Sequence, residues 1–149
     1  MTMRIDAFLR ESPMFAVSRA ALSFEALSAR VLAADELSFL EGLVLAALFF
    51  EAPRPIKPSQ LSATFVTSRG NISHCVSRLE AKGLLQRRID PDDARAYQLT
   101  LKPPGRRTAL RVIGAFDALQ SGFEEQVGKP ALRTMLTTLA RLRDMHGSR

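Results

Sequence analysis

Residues 61–105 read LSATFVTSRGNISHCVSRLEAKGLLQRRIDPDDARAYQLTLKPPG. Between Ser68 and Lys82 the apolar residues Ile72, Cys75, Val76 and Leu79 recur at i, i+3, i+4 and i+7, the spacing of one buried helical stripe. The opposite arc carries Gly70, Asn71, Ser73, His74, Ser77 and Arg78. Ser68 is suited to cap the start of this helix, and Gly83 to end it. Beyond it, Leu84 to Ile89 and Ala96 to Leu101 read as strands, with Tyr97, Leu99 and Leu101 alternating against Gln98, Thr100 and Lys102. The turn-forming Asp90-Pro91-Asp92-Asp93 separates them.

The sequence on both sides is helical. Ser12-Pro13 is a cap followed by a first-turn proline, and Phe15, Leu22, Ala26, Ala29 and Ala33 follow at helical spacing, predicting a long helix to about Leu32. Ser38 with Glu41 three residues later is a capping-box pattern. It opens an almost all-round apolar helix of Leu40, Leu43, Val44, Ala47 and Leu48, which belongs in the core. Pro53, Pro55 and Pro58 end that helix, and Pro58 starts a third, through Phe65. After Pro103-Pro104-Gly105, Leu110, Ile113, Phe116, Leu119 and Phe123 mark a long helix broken at Gly128. Pro130 restarts a final one with Leu132, Met135, Leu136, Leu139 and Leu142 on one side. Neither can bury its stripe alone, and there is no internal repeat. The expected fold is mainly α with a small β-hairpin wing, a winged helix-turn-helix flanked by N- and C-terminal helices in a single domain over 1–149.

Charge concentrates where the motif lies. The chain of 149 residues carries a net +6. Residues 53–111 hold 12 Lys and Arg against 4 Asp and Glu, a net +8, whereas residues 1–52 hold 4 against 7. A basic central segment points to an anionic partner. The single cysteine, Cys75, excludes an intramolecular disulfide. The longest apolar run, Leu43 to Phe50, is far short of the ~20 residues that cross a bilayer, and the N-terminus does not resemble a secretory signal. A soluble, cytoplasmic protein without a membrane role is the expectation.

A helix fits the major groove of B-DNA, where side-chain donors and acceptors read base edges. Asn71, Ser73, His74, Ser77 and Arg78 are such groups, Gly70 permits close backbone approach, and the capped end at Ser68 turns free amides toward phosphate. Arg87, Arg88 and Arg95 lie on or beside the strands. An arginine at a hairpin tip can enter the narrow minor groove while an aspartate holds its guanidinium, and Asp93 with Arg95 is the expected pair. The bland counterparts are a solvated helix face and a surface ion pair worth under ~1 kcal/mol. Arg106 and Arg107 are suited either to phosphate or to solvent.

The segment Leu37 to Gly105 resembles the MarR family of bacterial regulators. The resemblance rests on Leu61, the helix Ser68 to Leu79, the run Leu79-Glu80-Ala81-Lys82-Gly83-Leu84, and Arg87-Arg88-Ile89-Asp90-Pro91-Asp92-Asp93-Ala94-Arg95 followed by Leu99, Leu101 and Gly105. It implies that Ser68, Arg69, Gly70, Asn71, Ser73, His74 and Arg78 face the major groove, and that Asp93 and Arg95 are the wing-tip pair. It further implies a homodimer on a palindromic operator in double-stranded DNA, with 1–34 and 106–149 as dimerisation helices and 35–105 as the DNA-binding region. Repression relieved by a small aromatic effector follows, with Phe24, Phe39, Phe49 and Phe50 as candidate lining against a plainer role as core. Three positions depart from the pattern. Val66 stands where the turn usually has glycine, which predicts a turn built differently here, because a β-branched residue resists positive φ. Ala94 replaces a basic residue, and Lys102-Pro103-Pro104 replaces a threonine-capped helix start, which shifts that start by a residue or two.

Other classes have less to stand on. Two histidines, His74 and His146, and one cysteine form no catalytic set, metal cluster or phosphate loop, so neither an enzyme nor a cofactor or metal is expected. Cys75 beside His74 admits a redox-switch reading, against which stands its place on the apolar stripe. The family's thiol sensors usually carry the reactive cysteine near the N-terminus, where this chain has none. A winged helix used for protein contact remains a third reading, but it has little need of a +8 segment.

Overall fold

The computed structural model describes residues 3–145. Its elements are α1 (Ile5–Glu11), α2 (Pro13–Leu32), α3 (Phe39–Glu51), α4 (Pro58–Thr64), α5 (Arg69–Ala81), β1 (Leu85–Asp90), β2 (Asp93–Leu101), α6 (Pro103–Val127) and α7 (Lys129–Asp144), with a 3₁₀ turn at Ala33–Asp35. The expected helices are present, and α1 is an addition that the proline-marked start of α2 did not foretell. Serine caps set three boundaries: Ser12 Oγ accepts from the Phe15 amide, Ser38 Oγ from Glu41 and Ser68 Oγ from Asn71. The capping box at Ser38 is only half made, because the Glu41 carboxylate turns into the protein instead of back to the cap.

The chain divides into two compact units, one through Val112 and the other from Ile113. The core of the first is α3, with Val44, Leu45 and Leu48 buried, packed with Leu61 of α4, Ile72, Val76 and Leu79 of α5, and Ala109 and Val112 of α6. β1 and β2 pair antiparallel with Leu85 opposite Leu101 and Arg87 opposite Leu99. Ile56 adds a bridge to Leu99, with hydrogen bonds of 3.2 and 2.8 Å in the two directions, which docks the hairpin on the loop before α4. α6 begins at Pro103, so Pro103-Pro104-Gly105 is its first turn. Gly105 is obligatory there, since a β-carbon would meet the Leu84 carbonyl oxygen at 1.8 Å. Arg111 ties α6 to the α2–α3 corner through Asp35, at 2.7 Å. In the second unit, α7 buries none of its residues, and the same holds for α1 in the first.

Candidate nucleic-acid interface

The stripe of α5 is fully used by the core: Ile72, Cys75, Val76 and Leu79 are all buried. That fixes the rotation of the helix, so its other arc is presented outward. Arg69, Gly70, Asn71, Ser73, His74, Ser77 and Arg78 are exposed, as is the cap Ser68. The Asn71 amide side chain donates to Thr67 Oγ1 at 3.0 Å. The turn leading into α5 differs from expectation in an informative way. Val66 adopts φ 50° and is 90% exposed, so the chain makes the left-handed turn despite a β-branched residue. α4 and α5, which this turn joins, pack against each other, and the valine bears the strain of the left-handed conformation.

The hairpin is longer and its tip shorter than the sequence suggested: Pro91 and Asp92 alone separate the strands, and the register shifts at Ile89 and Asp90. Asp90 is not a tip residue. It is 2% exposed, its Oδ2 meets Lys57 Nζ at 2.8 Å, and its Oδ1 accepts from the Asp92 amide. The hydrogen bond from Lys57 holds the Asp90 carboxyl below the usual carboxylate range, and the same bond raises Lys57 above its ordinary value. Asp90 thus anchors the wing to the start of α4. Asp93 also acts otherwise than expected, accepting from the backbone amide of Arg95 at 3.0 Å. Arg95, two residues into β2 beyond Asp93, is exposed and its guanidinium is in no ion pair among the described residues; Arg88 on β1 is exposed as well. Arg87 is committed internally: Nη2 donates to Ser77 Oγ at 2.7 Å, Nε pairs with Glu80 at 3.3 Å, and the guanidinium lies over Tyr97. It joins wing to α5, and it occupies the Ser77 hydroxyl.

Glu41 is the functional candidate that sequence reasoning passed over. It is 1% exposed on α3, with Arg78 Nη2 at 3.2 Å and Lys82 Nζ at 3.5 Å. An acid in the first turn of a helix that is otherwise apolar until Glu51 at its end was the available signal, because a buried carboxylate must find a cation. Cys75 lies in the same neighbourhood. Burial first, and Glu41 second, push its thiol up to about 12, which keeps it protonated and argues against the redox-switch reading.

The four phenylalanines are not gathered equally. Phe49 and Phe50 pack edge to face at 6.1 Å, and Arg106 sits over the Phe49 ring at 5.1 Å. Phe39 begins the same helix eleven residues before Phe50, about 16 Å along its axis. Phe24 is on α2 and half exposed. Among the described residues no cluster of three or more potential metal ligands occurs, and no helix is long and apolar enough to cross a membrane. His146 lies outside the described residues.

An outward polar helix face, a strained turn before it and an arginine-bearing hairpin after it coincide with a family match: residues 51–97 fit the model of the MarR family. That central segment is similar to the MarR family, on a winged-helix fold. The chain is 30% identical over 87 residues to a transcriptional regulatory protein for the hcr operon of Thauera aromatica, covering 58% of this chain and 52% of that one. It therefore spans about half the length of that curated relative. The repressor CouR on a 23-mer DNA duplex superposes with a TM-score of 0.84 at 24% identity, over 96% of this chain and 99% of that one. CouR from Rhodococcus jostii RHA1 has also been solved with p-coumaroyl-CoA, and there the TM-score is 0.76 at 22% identity, over 90% and 93%. A transcriptional regulator from Pseudomonas aeruginosa gives 0.79 at 26% identity, over 90% and 98%.

Proposed function

We propose that this chain is a sequence-specific, double-stranded DNA-binding transcriptional regulator that works as a homodimer. The observation that carries the reading is the α5 face: Asn71, Ser73, His74 and Arg78 are exposed on a helix whose rotation is locked by four buried residues. Two such helices, about one helical turn of DNA apart (~34–36 Å), enter successive major grooves of a palindromic operator. Arg95, near the tip, and Arg88 reach the flanking backbone or minor groove, while Arg87 holds wing and helix at a fixed spacing.

The dimer surface is assigned to the N-terminal helices and to α6 and α7. Phe8 is 70% exposed, and Leu136 is exposed on a helix that buries nothing in one chain, which supports a covering partner. Repression relieved by a small molecule is part of the proposal. Such a ligand must bind the DNA-competent and DNA-incompetent spacings of the two reading heads with different affinity, or it shifts nothing. The ligand of CouR makes an aromatic effector a reasonable first class to screen.

The test is selection of bound fragments from random duplexes, followed by titration at several salt concentrations. Affinity is expected to fall ~10³- to 10⁵-fold between ~50 and ~200 mM salt, as several phosphate contacts require. Arg95→Ala should weaken every sequence alike, whereas Asn71→Ala or His74→Ala should change base preference. Salt-independent binding, or gel filtration showing only a monomer at micromolar concentration, contradicts the reading.

A further inference from the structure

We propose that Glu41 is a positioning residue that fixes Arg78 in advance as a phosphate contact, and so withdraws it from base reading. This rests on the DNA-binding role proposed above. Glu41 lies on α3, not on the reading helix, and its side chain is 1% exposed. Neither carboxylate oxygen has a hydrogen bond among the described residues, so its charge is met by the ion pairs with Arg78 and Lys82 alone. Lys82 is itself held, donating to the Glu36 carbonyl at the α2–α3 corner.

The consequence lies in what Arg78 is free to do. A guanidinium offers five donors on three nitrogens, and only Nη2 is engaged by Glu41. The side chain is 61% exposed, so the remaining donors are open to an anion. Moving the head toward a base edge would leave a buried carboxylate to Lys82 alone, at 3.5 Å, which is a costly state. An arginine restrained in this way suits the phosphate backbone, whose position varies little with sequence. It suits base edges poorly, since those demand a different reach at each pair. The sequence pattern, which groups Arg78 with Asn71 and His74, does not separate these roles.

The experiment measures duplex binding and its salt slope for wild type, E41Q, R78A, R78K and E41Q/R78A, on a selected operator and on a scrambled duplex. R78A is expected to weaken both duplexes about equally, by about tenfold, and to lower the salt slope by about 0.9 per Arg78 in the complex. R78K should fall between wild type and R78A on both duplexes, because its one compact ammonium, with three donors, must be shared between Glu41 and phosphate. E41Q should weaken both duplexes severalfold in the wild-type background and have no effect in the R78A background. Loss of binding by R78A on the operator alone, wild-type binding by R78K, or an undiminished E41Q effect without Arg78 would each overturn the proposal. If E41Q does not fold, judged by its melting curve, R78A and R78K still decide. Failure of the wild-type protein to bind any duplex would instead refute the parent reading.

Discussion

Replacing Val66 by glycine should make this protein more stable, although it removes three carbons and adds a flexible residue. At φ 50° an L-residue costs roughly 1–2 kcal/mol relative to its ordinary regions, and β-branching places valine at the upper end. The side chain is 90% exposed, so truncation forfeits almost no burial. Against the relief stands the added freedom of glycine in the unfolded chain, about 0.4–1 kcal/mol. The balance is a gain of about 0.5–1 kcal/mol, which for a chain of this size raises Tm by about 1–4 °C. Calorimetry at one fixed protein concentration is the assay, because dimerisation would make Tm concentration-dependent. Val66→Ala is the control: it keeps a β-carbon, so it should gain less than glycine. A Val66→Gly protein that melts below wild type, or one that gains no more than Val66→Ala, refutes the strain argument. Duplex affinity measured on the same variant separates a purely conformational role from direct contact, and it is expected to change by less than about twofold.

Other residues make equally specific demands. Gly105→Ala should destabilise by about 2 kcal/mol or more, read as a fall in the urea midpoint, because backbone must move to admit a β-carbon 1.8 Å from the Leu84 oxygen. The Asp90–Lys57 pair makes a pH prediction. The Asp90 carboxyl titrates below its ordinary value, so its contribution is complete above the usual carboxylate range and is lost as pH falls through the depressed value. Lys57, raised, keeps its share until pH climbs through its own elevated value. The stability gap between wild type and Asp90→Asn should therefore be constant around neutrality and close in acid; a gap that widens in acid contradicts the pairing. Cys75, pushed up to about 12, should react with a thiol reagent at pH 8 only as fast as the protein opens, and Cys75→Ala should retain duplex binding under oxidant. Rapid labelling of the native protein would revive the redox reading.

The candidate site was legible in the sequence to the extent that it depends on one helix at a time. The stripe of Ile72, Cys75, Val76 and Leu79 determines which arc of α5 faces outward, and this needs no knowledge of what the stripe packs against. The caps at Ser12, Ser38 and Ser68 and the stop at Gly83 are likewise satisfied within a few residues of chain. What a charged side chain does with its partner was not legible. Asp90 looked like a turn residue and is a buried anchor; Arg87 looked like a DNA contact and is an internal brace; Glu41 looked like half of a capping box.

The amino-acid sequence alone thus settled the order of the helices from α2 onward and of the wing, the faces that the hydrophobic period assigns, and the basic segment between residues 53 and 111. Tertiary structure alone decided which charges are spent inside the protein and which stay free, and it forced Val66 into a conformation that its own chemistry disfavours. The reason is physical. Hydrophobic period and capping act over three or four residues, whereas an ion pair forms between whichever heads the packed backbone brings together, 37 residues apart for Glu41 and Arg78.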